Sequence, residues 1–190
     1  MVDRQKVYLI ASNAEAGTLE SLPMTADLEI IDSEHLRQTN LRFSQQDKVC
    51  IASEAALEIV VSRIDDPARR NTIEVLKNKY TFRKMLTAIY PNYQYQFVKL
   101  QNIADLTITQ KSVIKPVKGV FGTAVRIINR DTDLTSLAAE LQAELSKNVD
   151  LFSEGVLSKS DFIVEQYLEG EEYAVDMFYN TMGIPCIINI

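Results

Sequence analysis

The sequence lacks the features of exported and membrane-embedded proteins. Its first apolar run, Val7–Ala11, is shorter than the core of a signal peptide, and no later segment approaches the length of a membrane span. Only two cysteines occur, Cys50 and Cys186, and both lie in apolar runs typical of strands, where a thiol acts as a small buried hydrophobic group. These absences predict a cytoplasmic protein with no membrane partner.

Histidine and positive charge are also scarce. His35 is the only histidine, and because no second histidine, cysteine or serine motif accompanies it, we interpret it as a surface or packing residue. The formal net charge of −6 argues against a general nucleic-acid binder, whose contact surface would be basic. The sequence contains neither GxxxxGK[ST] nor GxGxxG, so the common phosphate-binding and dinucleotide-binding loops are excluded.

The composition is that of a folded protein. Hydrophobic residues make up 46% and charged residues 24% of a 190-residue chain, which is long enough for one large or two small domains. Near the N-terminus, three short apolar runs alternate with helical segments: Lys6–Ala11, Leu28–Asp32 and Lys48–Ala52. This alternation predicts a small α/β layer with a parallel sheet.

A long helix is predicted next, from Ala68 to about Ala88. Its candidates for the buried side are Ile73, Leu76, Tyr80, Met85 and Leu86. It also carries many basic side chains, most of which we interpret as a solvated face: Arg69, Arg70, Lys77, Lys79, Arg83 and Lys84. The following residues, 93–97, alternate aromatic and polar side chains and predict a strand with its aromatic residues on one face.

The segment from Ser112 to Ile127 predicts a hairpin with an unusual loop. Pro116 biases Lys115 towards an extended backbone, so its ammonium leaves the strand in a defined direction. Gly119 and Gly122 allow backbone amides to approach an anion closely. Five basic and no acidic residues lie between positions 106 and 130. The pattern favours a polyphosphate site, and the alternative is an ordinary hairpin with a solvated Lys115.

Two further patterns complete the chain. Asp131–Asp133 can cap a helix whose apolar stripe comprises Leu134, Leu137, Ala138, Leu141 and Leu145. From Phe162 to Phe178 the sequence predicts strand, turn and strand, and a last apolar strand follows at its end. The acidic residues of this part contrast with the basic hairpin, so an anion-binding lobe is followed by a carboxylate-rich one.

Four motifs follow one another in the order Asn78-Lys79, VIKP, G-x-x-G-T-A-V and VEQYLEGEE, and in this order they resemble the ATP-grasp superfamily. The resemblance implies an α/β part followed by an α+β part. Residues 1–78 would form a small parallel-sheet domain that precedes the grasp, and residues 79–164 the small lobe with the phosphate loop. Residues 165–190 would form the hinge and the first strands of a large antiparallel lobe, truncated in this chain.

The resemblance also implies an ATP site. Lys79 and Lys115 would contact the phosphates, and the loop would close over them. Glu165 would accept a hydrogen bond from the adenine amino group, and Glu172 would bind the ribose hydroxyls. The remaining implied contacts are the loop residues Gly119, Val120, Phe121, Gly122 and Thr123, the backbone carbonyl of Gln166 and the amide of Leu168.

The function implied by the resemblance is that of an ATP-dependent carboxylate–amine or thiol ligase that acts through an acyl phosphate, with ATP and a small carboxylate as partners. The Mg²⁺ ligands of the family, a carboxylate and then a Glu-x-Asn pair, would lie beyond Ile190. We therefore expect neither a catalytic residue nor a metal ligand in this chain. The alternative is a non-catalytic nucleotide-binding or interaction module that needs a second chain or further sequence. The apolar strand 184–190 could pair with a second copy in a homodimer.

Overall fold

The computed structural model of the protein describes residues 6–12, 27–147, 152–180 and 182–190. Its first layer is a three-stranded parallel sheet of order β2-β1-β3, built from β1 (Val7–Ala11), β2 (Leu28–Asp32) and β3 (Lys48–Ile51). Helices α1 (Ser33–Gln38) and α2 (Leu57–Arg63) pack with it. The predicted small parallel sheet is confirmed, and its core includes Ile10, Leu36, Phe43, Val60 and Ile64.

The predicted helix 68–88 is wrong as a single element. It forms two helices, α3 (Pro67–Lys77) and α4 (Lys79–Leu86), because Asn78 between them has an extended backbone with φ −93° and ψ 110°. The Asn78 side chain accepts hydrogen bonds from the amides of Tyr80 and Thr81 and so caps α4. Leu76 and Met85 are not buried, since 55% and 53% of their surfaces are exposed.

The second layer is an antiparallel sheet of order β4-β7-β5-β6. Its strands are β4 (Tyr95–Lys99), β5 (Ser112–Pro116), β6 (Arg126–Ile128) and β7 (Asp161–Gln166). One face packs on α5 (Leu134–Lys147) and on a 3₁₀ helix, Leu100–Asp105. The predicted leucine stripe supplies Leu137, Leu141 and Leu145 to this core. Asp133 accepts hydrogen bonds from the first amides of α5 as expected.

The opposite face of this sheet packs on α4. The ring of Tyr80 lies 5.9 Å from that of Tyr95 and 5.4 Å from that of Phe97, measured between ring centres. Because side chains alternate across a strand, Tyr95 and Phe97 share this face, as the aromatic alternation predicted. Tyr93, the third aromatic, lies before β4.

A separate two-stranded antiparallel sheet follows, formed by β8 (Asp176–Tyr179) and β9 (Pro185–Asn189). Most of its large apolar side chains are exposed, including Phe178, Ile187 and Ile188. Within the described residues, none of the helices is long and apolar enough to cross a membrane.

Candidate functional site

A buried carboxylate at the end of β7 holds two cations. Glu165 is only 4% exposed, and its Oε2 accepts a hydrogen bond of 2.9 Å from Nε of Arg83. Its other oxygen, Oε1, forms an ion pair with the ammonium of Lys115. The two cations come from different elements, Arg83 from α4 and Lys115 from β5. A carboxylate buried to this degree is stable in its charged form only when it is paired in this way.

Strand register explains why these side chains meet. In the antiparallel pair β5–β7, Val113 is opposite Glu165 and Lys115 is opposite Ile163. Lys115 and Glu165 are therefore diagonal neighbours on one face, within reach of a long side chain. That face is the one covered by α4, whose first amide, at Lys79, donates to the carbonyl of Val117 at 2.7 Å. This bond fixes the start of α4 beside the end of β5.

The electrostatics of Glu165 result from two opposing effects. Burial raises the pKa of its carboxyl group, but hydrogen bonds from Arg83 and Lys115 outweigh burial and leave the pKa below its usual value. The neighbouring phenol of Tyr93 responds in the opposite sense, since burial and the charge of Glu165 raise the pKa of Tyr93 to about 12. The guanidinium of Arg83 lies 4.8 Å from the ring centre of Tyr93. Glu165 is thus ionised and Tyr93 neutral at physiological pH.

Lys79 is a third cation in this group. Burial, followed by the charges of Lys115 and Lys77, lowers the pKa of Lys79 to about 8. In the part of the chain that the structure describes, no carboxylate lies within ion-pair distance of its ammonium. A β-carbon built on Gly119 would lie 3.7 Å from Nζ of Lys79, so this ammonium lies against the start of the glycine loop. An unneutralised ammonium at this position favours the binding of an anion.

The loop itself has an unusual backbone. Phe121, Gly122 and Ala124 have φ values of 50°, 71° and 56°, a left-handed conformation that costs residues other than glycine about 1–2 kcal/mol each. Phe121 is 89% exposed at its tip. The amide of Ala124 donates to Glu144 of α5 at 2.7 Å, and this charge-assisted bond holds the end of the loop. The bond also lowers the pKa of Glu144.

Not every basic residue of the hairpin faces this group. Lys118 donates to Glu74 of α3 at 2.8 Å, and Arg126 pairs with Glu144 at 2.7 Å on the opposite face of the sheet. Their charges are neutralised locally. Of the five basic residues counted in the sequence, Lys115 is therefore the one placed beside Glu165.

The hinge after β7 is only partly organised around the site. The amide of Gln166 donates to the carbonyl of Gln94, but the amide of Gln94 donates to the side-chain oxygen of Gln166. In a regular antiparallel pair the amide of Gln94 would donate to the backbone carbonyl of Gln166. Here it donates to the Gln166 side chain instead, so this backbone carbonyl does not receive the hydrogen bond from Gln94. Leu168 is 63% exposed, and Glu172 is exposed. Among the described contacts, none joins Leu168 or Glu172 to the group around Glu165.

A cavity lies at the Glu165 end of the sheet, but the cations do not line it. A cavity of about 290 Å³ is lined by Glu165 and Gln166 at the same end of the sheet, but its other walls are mostly threonine and glutamine residues of the connection before β5. Neither Lys79 nor Lys115 contributes to it. Among the described residues, no three His, Cys, Asp or Glu side chains lie close enough together to hold a metal ion.

Sequence reasoning missed Arg83. Its positive charge was assigned to a solvated helix face, whereas the structure pairs it with the most buried carboxylate of the sheet. One signal could have identified it: Arg83 follows Lys79 by four residues, which places both on the same face of one helix. The group brought together by the fold is therefore Lys79, Arg83, Lys115 and Glu165, with Gly119 beside it.

Comparison with known proteins agrees with this fold. Residues 108–190 match the family model of the ATP-grasp domain. An L-amino acid ligase from Bacillus licheniformis has a similar structure, with a TM-score of 0.60 and 17% identity over 98% of this chain and 52% of that chain. D-Alanine-D-alanine ligase from Helicobacter pylori matches with a TM-score of 0.50 and 10% identity over 96% of this chain and 73% of that chain.

This chain spans about half the length of the L-amino acid ligase. No curated protein sequence matches it. The family match covers the glycine loop, the strand that carries Lys115 and the hinge that begins at Glu165, but not the helix that carries Lys79 and Arg83. Residues 108–190 therefore carry the sequence pattern of the ATP-grasp domain, and the fold of the chain is similar to that of two amino acid ligases.

Proposed function

We propose that this chain is the nucleotide-binding part of an ATP-dependent carboxylate–amine or thiol ligase. One observation carries the proposal: Lys79, Lys115 and Arg83 surround a single buried carboxylate beside a glycine loop. Three cations facing one anion leave an excess of positive charge, and a polyphosphate is the ligand that best neutralises it.

The residues have separable roles in this proposal. Lys79 and Lys115 bind the phosphates, and the loop from Gly119 to Thr123, which includes Val120, Phe121 and Gly122, closes over them. Glu165 accepts from the adenine amino group. The backbone carbonyl of Gln166 and the amide of Leu168 extend this recognition along the adenine edge, and Glu172 accepts from the ribose hydroxyls. ATP binding requires Lys115 to exchange its present partner, Glu165, for a phosphate.

The proposed reaction has two steps. A substrate carboxylate attacks the γ-phosphorus of ATP, forming an acyl phosphate and releasing ADP. An amine or thiol then attacks the acyl carbon, and inorganic phosphate leaves. Lys79 and Lys115 would neutralise charge on the transferred phosphoryl group. Mg²⁺, which the family implies, does not fit any set of described residues, and its ligands would lie outside these residues.

The pH dependence of ATP binding tests the role of Lys79. Its ammonium binds phosphate and its neutral amine does not, so the affinity for ATP should fall as the pH rises from 7 through about 8. The fall should approach tenfold per pH unit until the pKa of the bound state is reached. Isothermal titration calorimetry between pH 6.5 and 9.5 measures this profile.

The matched control for this prediction is Lys79→Arg. Arginine keeps its charge over the whole range, so the variant should bind ATP with a flat profile. A wild-type profile without a decline above pH 8 would contradict the role of Lys79, and no detectable ATP binding would overturn the proposed function. Phosphate release in the presence of ATP, Mg²⁺ and amino acids distinguishes a catalytic chain from one that only binds the nucleotide.

We also propose that β9 pairs with a second copy of the chain. Within the described residues β9 pairs with β8 alone, and Ile187 and Ile188 are 60% and 70% exposed. Light scattering should give the mass of a dimer, and Ile188→Lys should give a monomer because a lysine opposes pairing at an edge strand. Gln101→Lys, on a distant 3₁₀ helix, should remain dimeric. A monomeric wild type would contradict this proposal.

A further inference from the structure

Arg83 holds Glu165 from the side opposite to Lys115. The hydrogen bond from Nε of Arg83 reaches Oε2 of Glu165 at 2.9 Å, and Lys115 binds Oε1. Arg83 is also fixed by the ring of Tyr93, 4.8 Å from its guanidinium carbon. The position of Arg83 therefore does not depend on Glu165 alone, and each carboxylate oxygen has a different partner.

The two partners differ in what they can do when a nucleotide arrives. Lys115 has a flexible side chain and lies on the strand that leads into the glycine loop, so a phosphate can attract it away from Oε1. Arg83 is enclosed between Tyr93 and Glu165 on α4 and remains charged at every physiological pH. After the exchange, Oε1 is released while Oε2 stays bound.

We propose that Arg83 is the positioning residue that makes Glu165 an acceptor for the amino group of the base. This inference rests on the proposed function. A carboxylate that is 4% exposed and has lost one of two cations would tend to take up a proton, and a protonated carboxyl could donate to a carbonyl group instead. Arg83 keeps the carboxylate ionised and fixes its orientation, so a base with an amino group is preferred to one with a carbonyl.

Four titratable or charged groups surround Glu165: Arg83 and Lys79 on α4, Lys115 on β5, and Tyr93 before β4. Because the pKa of Lys79 is about 8 and that of Tyr93 about 12, neither changes its charge between pH 5.5 and 7. Over this range, a change in the preference between two nucleotide bases therefore reports a change in the protonation of Glu165.

The test compares ATP with inosine triphosphate, which has a carbonyl in place of the adenine amino group. Calorimetric dissociation constants are measured for both nucleotides between pH 5.5 and 7. The wild type should prefer ATP by a ratio that does not change with pH. In Arg83→Gln the ratio should fall by about tenfold. It should fall further as the pH is lowered, because the protonated Glu165 donates to the inosine carbonyl.

Two controls separate positioning from stability. Arg83→Lys keeps the charge and should restore most of the ATP preference, and Lys84→Gln, at an exposed position on the same helix, should leave the ratio unchanged. Thermal unfolding of each variant confirms that it is folded. An Arg83→Gln variant with the wild-type ratio and a flat pH profile would overturn the inference while leaving the proposed function intact. Loss of ATP binding by the wild type would overturn the proposed function itself.

Discussion

Replacing Lys115 by alanine is expected to weaken ATP binding by roughly 10- to 150-fold, which corresponds to about 1.5–3 kcal/mol for a hydrogen bond to a charged group. The ammonium of Lys115 pairs with Glu165 on the face of the sheet that α4 covers. Its removal takes away a proposed phosphate contact and leaves the negative charge of Glu165 less compensated. Both effects act against the binding of a polyanion. Titration calorimetry at pH 7 measures the change.

Lys99→Ala is the matched control for this substitution. Lys99 is also a strand lysine paired with an acidic residue of β7, at 2.9 Å from Asp161, but 51% of its side chain is exposed. An exposed ion pair of this kind contributes little to stability, and we expect Lys99→Ala to leave the affinity for ATP unchanged. Glu165 keeps Arg83 in the Lys115→Ala variant, and we expect this variant to stay folded. An unchanged dissociation constant for a folded Lys115→Ala variant would remove Lys115 from the site.

The position of Lys115 could be predicted because its causes are local. Pro116 restricts the residue before it, and alternation along a strand decides which face each side chain occupies. The same is true of the parallel sheet, whose three apolar runs each identify a strand without reference to the rest of the chain. The leucine stripe of α5 could also be predicted, because its spacing depends only on helical geometry.

The pairing of Arg83 with Glu165 could not be predicted in this way. The two residues are separated by 82 positions, and their contact exists only because α4 packs on β4 and β7. In the sequence, Arg83 is one of several cations in a basic run, and the side chains of such a run are usually exposed to solvent. The apolar spacing also predicted one helix through Asn78, although asparagine is a strong N-cap and the motif Asn78-Lys79 is typical of the start of a helix.

The role of Glu172 stays a prediction. It was assigned by its spacing from Glu165, but the residues between β7 and β8 form no helix or strand, and the Glu172 side chain is exposed. The number of residues between two positions determines on which side each side chain lies in a strand, but not in an irregular segment. This explains why contacts join Lys115, Arg83 and Glu165, whereas none of the described contacts joins Glu172 to them.

Truncating Phe162 should have the largest effect on stability. Phe162 is fully buried in the core between the antiparallel sheet and α5, and its strand partners are Val98 and Pro116. Because Phe162 is fully buried, Phe162→Ala should lower the free energy of unfolding by about 3–5 kcal/mol. Since Pro116 follows Lys115, a cavity at this point would also loosen the strand that presents the ammonium.

Phe43→Ala provides the comparison, because Phe43 is equally buried but belongs to the other core, with Tyr8 and Leu36. If residues 1–78 and 79–164 are separate domains, as the sequence predicts, each substitution should act on its own core. Hydrogen exchange followed by mass spectrometry should then show faster exchange for amides of β4 to β7 in Phe162→Ala, with β1 to β3 still protected. Phe43→Ala should show the reverse pattern and should retain more of its ATP affinity. Faster exchange across both sheets in either variant would mean that the chain unfolds as one cooperative unit and that the proposed boundary at residue 78 is wrong.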